Sequence, residues 1–169
     1  MTSSATITPK GIFQLKIVLA GIEPFIWRRV LAPGTLNLRE FSDLIQIVMG
    51  WNDTHMHKYC TDQLEIIDAD LPKEGSLNES DFLLSDLVSR EGDEFEYLYD
   101  FGDNWTHRIT LELIIPNDDL QMLPACIDGR RACPIDDCGG PYGYNELIRI
   151  LSDNSNPDFE GTRRFLGGN

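Results

Sequence analysis

Basic residues are scarce in this chain. Its 169 residues include 14 Lys and Arg against 28 Asp and Glu, a formal net charge of −14 at pH 7. Such a charge opposes the counterion release that supplies most non-specific DNA affinity, and anionic membranes repel it as well. We therefore expect neither direct nucleic-acid contact nor membrane binding, and an unidentified protein or small ligand as partner.

Long apolar runs are lacking too. No run approaches the roughly 20 residues that span a bilayer, and the first 22 residues have neither a long apolar core nor a signal cleavage site. This pattern predicts a cytoplasmic protein. Because 41% of the residues are hydrophobic, the chain has material for a core and wholesale disorder is excluded.

The negative charge is concentrated in one part of the chain. Residues 62–103 hold 14 acids and 2 bases, which is −12 of the −14. A stretch of this kind is typical of a solvated face, and the alternative is a docking surface for a basic partner or a cation.

Two hairpins are predicted from alternation and turn residues. Residues 13–19 alternate in hydrophobicity, and residues 27–31 follow a turn at Glu23-Pro24. Residues 94–100 and 105–115 are rich in aromatic and β-branched side chains and flank a Gly-Asp-Asn turn.

Apolar residues at three- and four-residue steps predict an amphipathic helix over residues 38–48. Asn37 or Thr35 would cap it and Gly50 would end it. The remaining predictions are short strands at 55–61 and 64–67, a loop at 71–80, a cysteine-containing loop from 117 to 143, and helices at 144–151 and 159–166.

Strands and helices do not alternate regularly along the chain. This order predicts an α+β fold with a largely antiparallel sheet and two or three packed helices. We expect residues 1–10 to form a flexible tail and residues 11–169 to form a single α+β domain.

All three histidines lie in two aromatic segments, residues 51–59 and 99–107. If residues 55–59 are extended, His55, His57 and Tyr59 share one face, and the two imidazoles can approach one metal or substrate group. The alternative is that they are partly exposed strand residues with ordinary hydrogen bonds.

The register of the second hairpin decides what faces His107. A two-residue turn at 103–104 places Asp100 opposite His107, where its carboxylate would orient the ring. A turn at 102–103 places Leu98 there instead, because one residue of slip changes every pair.

Cys126, Cys133 and Cys138 are spaced C-x6-C-x4-C. Structural zinc sites use four ligands, commonly with C-x2-C pairs, whereas this segment has three thiols and no such pair. We expect buried free thiols and no cofactor. The alternatives are a zinc site completed by Cys60 or a histidine, and a redox pair of Cys133 and Cys138.

A glycine-rich turn follows the cysteines. The backbone N–H groups of Gly139, Gly140 and Gly143 can hold an anion at the start of a helix. Asp136 and Asp137 would repel a free anion, which favours a turn with a charged helix entry.

At these segments the chain resembles the plasmid pRiA4b open-reading-frame-three-like family. The resemblance covers about residues 13–166 and implies a plasmid- or mobile-element-associated protein of a family without an established activity. Several family patterns have Pro-Pro-Glu-Asp at residues 134–137 and Val at position 138. The motifs that carry the resemblance are Trp27-Arg28-Arg29, Gly50-Trp51, His55-Met56-His57, residues 99–105 with His107, Ala132-Cys133-Pro134, Asp136-Asp137, Gly139-Gly140 and Gly143-Tyr144.

Two functions are compatible with these motifs. The first is a non-enzymatic ligand- or protein-binding module, with no catalytic residue assigned. The second is a metal-assisted hydrolase or nuclease using His55, His57, His107 and Asp100 or Asp103. The first needs no special geometry, whereas the second needs three segments to converge. We expect His55, His57 and at least one of Asp100, Asp103 and His107 to line one concave surface beside Trp51 or Trp105. The candidate binding residues are Trp51, His55, His57, Tyr59, Tyr99, Asp100, Asp103, Trp105 and His107.

Overall fold

A computed structural model describes residues 11–67, 77–116 and 122–167. The strands are β1 Gly11–Leu19, β2 Trp27–Pro33, β3 His57–Cys60, β4 Glu65–Ile67, β5 Glu94–Tyr99, β6 Trp105–Pro116 and β7 Ala125–Arg130. The helices are α1 Leu38–Met49, α2 Leu84–Leu87, α3 Gly140–Leu151 and α4 Phe159–Phe165, with a 3-10 turn at Glu79–Asp81. The predicted tail (1–10) and much of the predicted 71–80 loop lie outside the described residues.

The strands form one antiparallel sheet of seven, in the order β4-β3-β5-β6-β1-β2-β7. The α+β prediction is confirmed. On β1 every second side chain from Phe13 to Leu19 is fully buried, and this alternation places one face of the sheet in the core. No helix among the described residues is both long and apolar enough to cross a bilayer.

Helix α1 covers the buried face of the sheet, as its periodicity predicts. The Asn37 side chain accepts from the Glu40 backbone N–H, and the Glu40 carboxylate accepts from the Asn37 N–H, which together make a capping box. Gly50 ends the helix in the left-handed conformation at φ 79°. Phe41 and Ile45 are fully buried against the sheet.

The β5–β6 hairpin exists, but both predicted registers are wrong. Tyr97 lies opposite His107, and the connecting loop covers residues 100–104. Asp100 leaves the strand at φ 56°, and its N–H donates to the carbonyl of Met56 at 2.9 Å. Two-residue turn rules do not apply because the connection between the paired Tyr99 and Trp105 is five residues long, and within it the Asn104 N–H donates to the Asp100 carbonyl.

The cysteine segment is not entirely a loop. It contains β7, which pairs with β2 at the edge of the sheet, and α3 begins at Gly140 rather than Tyr144. Most of β7 is exposed, so its sequence shows no alternation that would have predicted a strand. Helix α3 starts early because Pro141 occupies its first turn after the left-handed Gly139.

Candidate functional site

Three loops meet at one end of the sheet. Residues 51–56 follow α1, residues 100–104 connect β5 to β6, and residues 134–139 precede α3. Hydrogen bonds join them: the Asn52 N–H donates to Asp136 Oδ2 at 3.1 Å. The Gly139 N–H donates to Asp103 Oδ2, also at 3.1 Å. We call this arrangement the loop junction.

The anion bound at the glycine turn is a carboxylate of the protein itself. The Asp103 carboxylate receives the N–H of Gly139, and the backbone of Gly140 packs against the Asp103 carbonyl. A Cβ at residue 140 would overlap that oxygen, so this approach requires glycine. The Asp103 side chain therefore holds two loops together.

Three potential metal ligands converge at the loop junction. His55 Nε2 lies 3.3 Å from Asp137 Oδ1 and 3.7 Å from Asp100 Oδ2. One ligand atom from each of the three residues lies within 4.8 Å of the other two. The Asp100 side chain is 11% exposed and that of Asp137 78% exposed. The cluster is therefore enclosed by protein on the Asp100 side and open to solvent on the Asp137 side.

The backbone and an aromatic ring fix these side chains. Asp100 Oδ1 accepts from the N–H groups of Gly102 and Asp103 at 2.8 and 3.2 Å, which leaves Oδ2 directed at His55. The His55 ring lies edge-on to Tyr99 with centroids 5.8 Å apart. This restricts the imidazole before any ligand arrives.

Two polar atoms at the loop junction are covered yet make no hydrogen bond to any described residue: His55 Nε2 and Asp136 Oδ1. Buried polar atoms are normally hydrogen-bonded, and the exceptions call for an explanation. Both atoms lie among carboxylates, where an added cation would supply the missing partner.

The loop junction is strongly negative. Burial, together with the nearby carboxylates of Asp103, Asp136 and Asp137, raises the pKa of the Cys138 thiol to about 11. Cys138 is therefore a protonated thiol at neutral pH rather than a nucleophile.

The spacing of the cluster fits a first-row metal ion. Bonds of about 2.0 to 2.2 Å in tetrahedral geometry place neighbouring ligand atoms roughly 3.4 Å apart. The distances from His55 Nε2 to Asp137 Oδ1 and Asp100 Oδ2, 3.3 and 3.7 Å, lie near that value. One imidazole and two carboxylates could hold such an ion and leave further coordination positions open toward solvent.

The other histidines are not in this cluster. His57 is fully buried and its Nε2 lies 2.7 Å from Glu79 Oε2, whose side chain is fully buried as well. Tyr59 is also buried, and its hydroxyl donates to the Leu38 carbonyl at 2.7 Å. The expectation that His55 and His57 share a face is wrong, because β3 begins only at His57.

His107 lies beneath the loop junction, in the core. Its Nε2 accepts from Trp51 Nε1 at 3.0 Å, and its Nδ1 lies 3.1 Å from the Tyr97 carbonyl. Since Trp51 can only donate, Nε2 carries no proton and Nδ1–H is the donor to Tyr97. Burial lowers the pKa of His107 to about 4, so the ring is neutral at pH 7.

The aromatic candidates form the floor of the loop junction. Trp51 packs against Tyr99 and Trp105, with centroid distances of 5.4 and 5.3 Å. Tyr99 and Trp105 are fully buried, so these rings support the loops rather than line an open groove. Of the nine candidates, the structure brings His55 and Asp100 into the metal-ligand cluster, with Asp103 supporting them.

Asp137 is the cluster member that sequence reasoning missed. It lies 82 residues after His55, and the sequence pattern assigns it only to a charged helix entry. The adjacent acids Asp136-Asp137 are also a cation-site signal, because carboxylates are common cation ligands, but spacing alone does not separate the two roles.

The cysteines do not join the cluster. Cys126 is exposed on β7, contrary to the expectation of a buried thiol, because that strand is at the edge of the sheet. Cys133 is partly buried, and its Sγ accepts from Arg28 Nη2 at 3.3 Å. Burial raises the pKa of Cys133 as well.

Comparison with known proteins identifies the family. The plasmid pRiA4b ORF-3-like protein family matches residues 11–169, and the chain belongs to it. The uncharacterized protein y4hQ of Sinorhizobium fredii is 31% identical over an aligned stretch of 162 residues, with 93% of this chain and 81% of that protein covered. The crystal structure of a protein of unknown function from Methanosarcina mazei Go1 matches with a TM-score of 0.83 and 32% identity, over 92% of this chain and 89% of the other.

Proposed function

We propose that this protein is a non-enzymatic ligand-binding module whose ligand is a divalent transition-metal ion, held by His55, Asp100 and Asp137. The observation that carries the proposal is the convergence of one imidazole nitrogen and two carboxylate oxygens within 4.8 Å. Imidazole suits zinc, iron and nickel, and carboxylates also suit manganese, so Zn²⁺ and Mn²⁺ are the appropriate probes.

Three further features support this interpretation. Each ligand comes from a different loop, so the ion would cross-link chain segments that are distant in sequence. His55 Nε2 makes no hydrogen bond to a described residue. Asp100 and Asp137 both adopt positive φ, at 56° and 59°, a conformation that non-glycine residues keep mainly where the surroundings impose it.

The test is calorimetric titration of the protein with Zn²⁺ and, separately, Mn²⁺. We expect one ion per chain, and at least tenfold weaker binding in His55→Gln and in Asp137→Asn, because each substitution removes one of three ligands. Asp62→Asn is the matched control, since it removes the same charge from an exposed position outside the loop junction. An equal loss of metal affinity in Asp62→Asn would mean that binding depends only on net charge, and it would refute the proposed site.

Metal-assisted hydrolysis is the second candidate, and Asp136 favours it. Its Oδ1 has no hydrogen-bond partner among the described residues and lies at the loop junction, where it could accept a proton from a metal-bound water. The assay is hydrolysis of bis(p-nitrophenyl) phosphate by the Zn²⁺- or Mn²⁺-loaded protein. The hydrolase hypothesis is supported if turnover is seen and is lost in Asp136→Asn while metal affinity is unchanged. If the wild-type protein shows no turnover, the hydrolase hypothesis is rejected in favour of the binding module.

A further inference from the structure

A cavity lies on the opposite face of the sheet from α1. Its volume is about 360 Å³, within the range of small-molecule sites. Arg108, Val18 and Trp27 lie side by side across β6, β1 and β2, because Val18 pairs with Trp27 on one side and with Arg108 on the other. The β1–β2 turn closes one end with Phe25, which is 56% exposed.

The aromatic wall of this cavity is fixed in position. Lys16 Nζ lies 5.4 Å and Arg29 Cζ 5.2 Å from the centroid of the Trp27 ring. Arg29 is neutralised, since Glu112 accepts two of its hydrogen bonds, at 2.6 and 3.0 Å, and Asp128 accepts another at 3.1 Å. The Trp27 face is therefore held before a ligand binds, which reduces the entropy lost on binding.

Two other cations lie at the cavity without a salt bridge among the described residues, although Lys16 contacts the Trp27 ring and lies near Glu112. Lys16 and Arg108 line it, and neither forms a salt bridge with any described residue. Glu96 lies opposite Arg108 on β5 without making an ion pair, and Glu112 near Lys16 is already bonded to Arg29. Two cations without a salt bridge beside an apolar cavity are notable in a chain of net charge −14.

We propose that this cavity binds a small amphipathic anion, an aryl carboxylate or sulfonate whose ring packs on Trp27 and whose charge lies between Lys16 and Arg108. The apolar lining matches an aromatic body, and the two cations match one acidic group. This site is separate from the metal cluster, and its occupancy does not depend on the proposed metal function.

The test compares two fluorescent probes with nearly the same aromatic body. 8-Anilinonaphthalene-1-sulfonate carries the negative charge, and N-phenyl-1-naphthylamine is neutral. We expect saturable binding of the sulfonate, about tenfold weaker in Arg108→Gln, while affinity for the neutral probe is unchanged. Lys16→Gln should weaken sulfonate binding as well, and because Lys16 also contacts the Trp27 ring, it should weaken the neutral probe to a smaller extent.

The controls separate this site from general dye adsorption. Arg90→Gln removes a positive charge from a side chain that is 86% exposed and outside the cavity, and it should leave both affinities unchanged. Phe25→Ser should weaken both probes, because it removes apolar wall rather than charge. The proposal is overturned if sulfonate binding does not saturate, if Arg90→Gln lowers it as much as Arg108→Gln, or if Arg108→Gln weakens both probes equally.

Discussion

The buried imidazole of His107 makes the stability of the fold depend on pH. In the folded protein its pKa is lowered to about 4 from the ordinary 6.5, because burial disfavours the charged ring. Between these two values the unfolded chain binds a proton that the folded chain does not. The stabilisation from the neutral ring is therefore fully present above pH 6.5 and is lost as the pH falls through 6.5 toward 4.

The magnitude follows from the size of the shift. A difference of 2.5 pKa units corresponds to about 3 kcal/mol in total. Between pH 7 and pH 5 only part of it is lost, and linkage gives about 2 kcal/mol for that interval. This is a large fraction of the roughly 5 to 15 kcal/mol that holds an ordinary domain folded.

The perturbation is His107→Gln. A glutamine amide can still accept from Trp51 Nε1 and donate to the Tyr97 carbonyl, but it does not titrate. Urea unfolding at pH 7 and pH 5 should show the wild-type free energy of unfolding falling by about 2 kcal/mol more than that of the variant.

A second variant checks the hydrogen-bond assignment. Trp51→Phe keeps most of the ring packing but removes the donor to His107, so it should destabilise the protein by about 1 to 3 kcal/mol at pH 7. The same pH dependence in wild type and His107→Gln would refute the reasoning, because it would mean that His107 titrates alike in the folded and unfolded chains.

Three further outcomes are expected. Gly140→Ala should lower the melting temperature and weaken metal binding, because its Cβ overlaps a carbonyl of the neighbouring turn; Gly161→Ala, with open space around it, is the control that should do neither. Asn37→Ala should cost about 1 kcal/mol in urea unfolding through loss of the cap, and an unchanged midpoint would contradict the capping box. Iodoacetamide at pH 8, followed by mass spectrometry, should modify exposed Cys126 well before Cys138, whose pKa is raised to about 11; the reverse order would contradict the burial argument.

Sequence reasoning succeeded where the determinants were local. The α1 helix follows from its own apolar spacing and from Asn37 and Gly50, all within one short segment. The β1–β2 hairpin is equally local, since alternation and one turn define it. In both cases each residue's preference agrees with the fold, and no distant partner is needed.

Sequence reasoning failed where a residue's environment is set by segments that are distant in the chain. His57 is buried because β3 pairs with β5 and because Glu79, 22 residues later, meets its ring. The hairpin register depends on Asp100 turning away to bond Met56 in another loop. Asp137 reaches His55 only after β7 and α3 are in place, so its role as a potential ligand could not be derived from spacing.

The histidine-rich aromatic segments contain residues with two different roles: some support the loops from the core, and others form the potential cation site. His107 and Trp51 form a neutral, hydrogen-bonded pair under the loop junction, and this pair positions the loop that carries His55. Above it, the carboxylates of Asp100 and Asp137 lie close to each other and to the His55 imidazole, on backbone that includes two left-handed residues. Repulsion and backbone strain of this kind lower stability unless a cation compensates them. The rigid floor can maintain such an arrangement because its own hydrogen bonds do not depend on the carboxylates, so substitution of these proposed metal ligands should alter ion affinity while leaving the core intact.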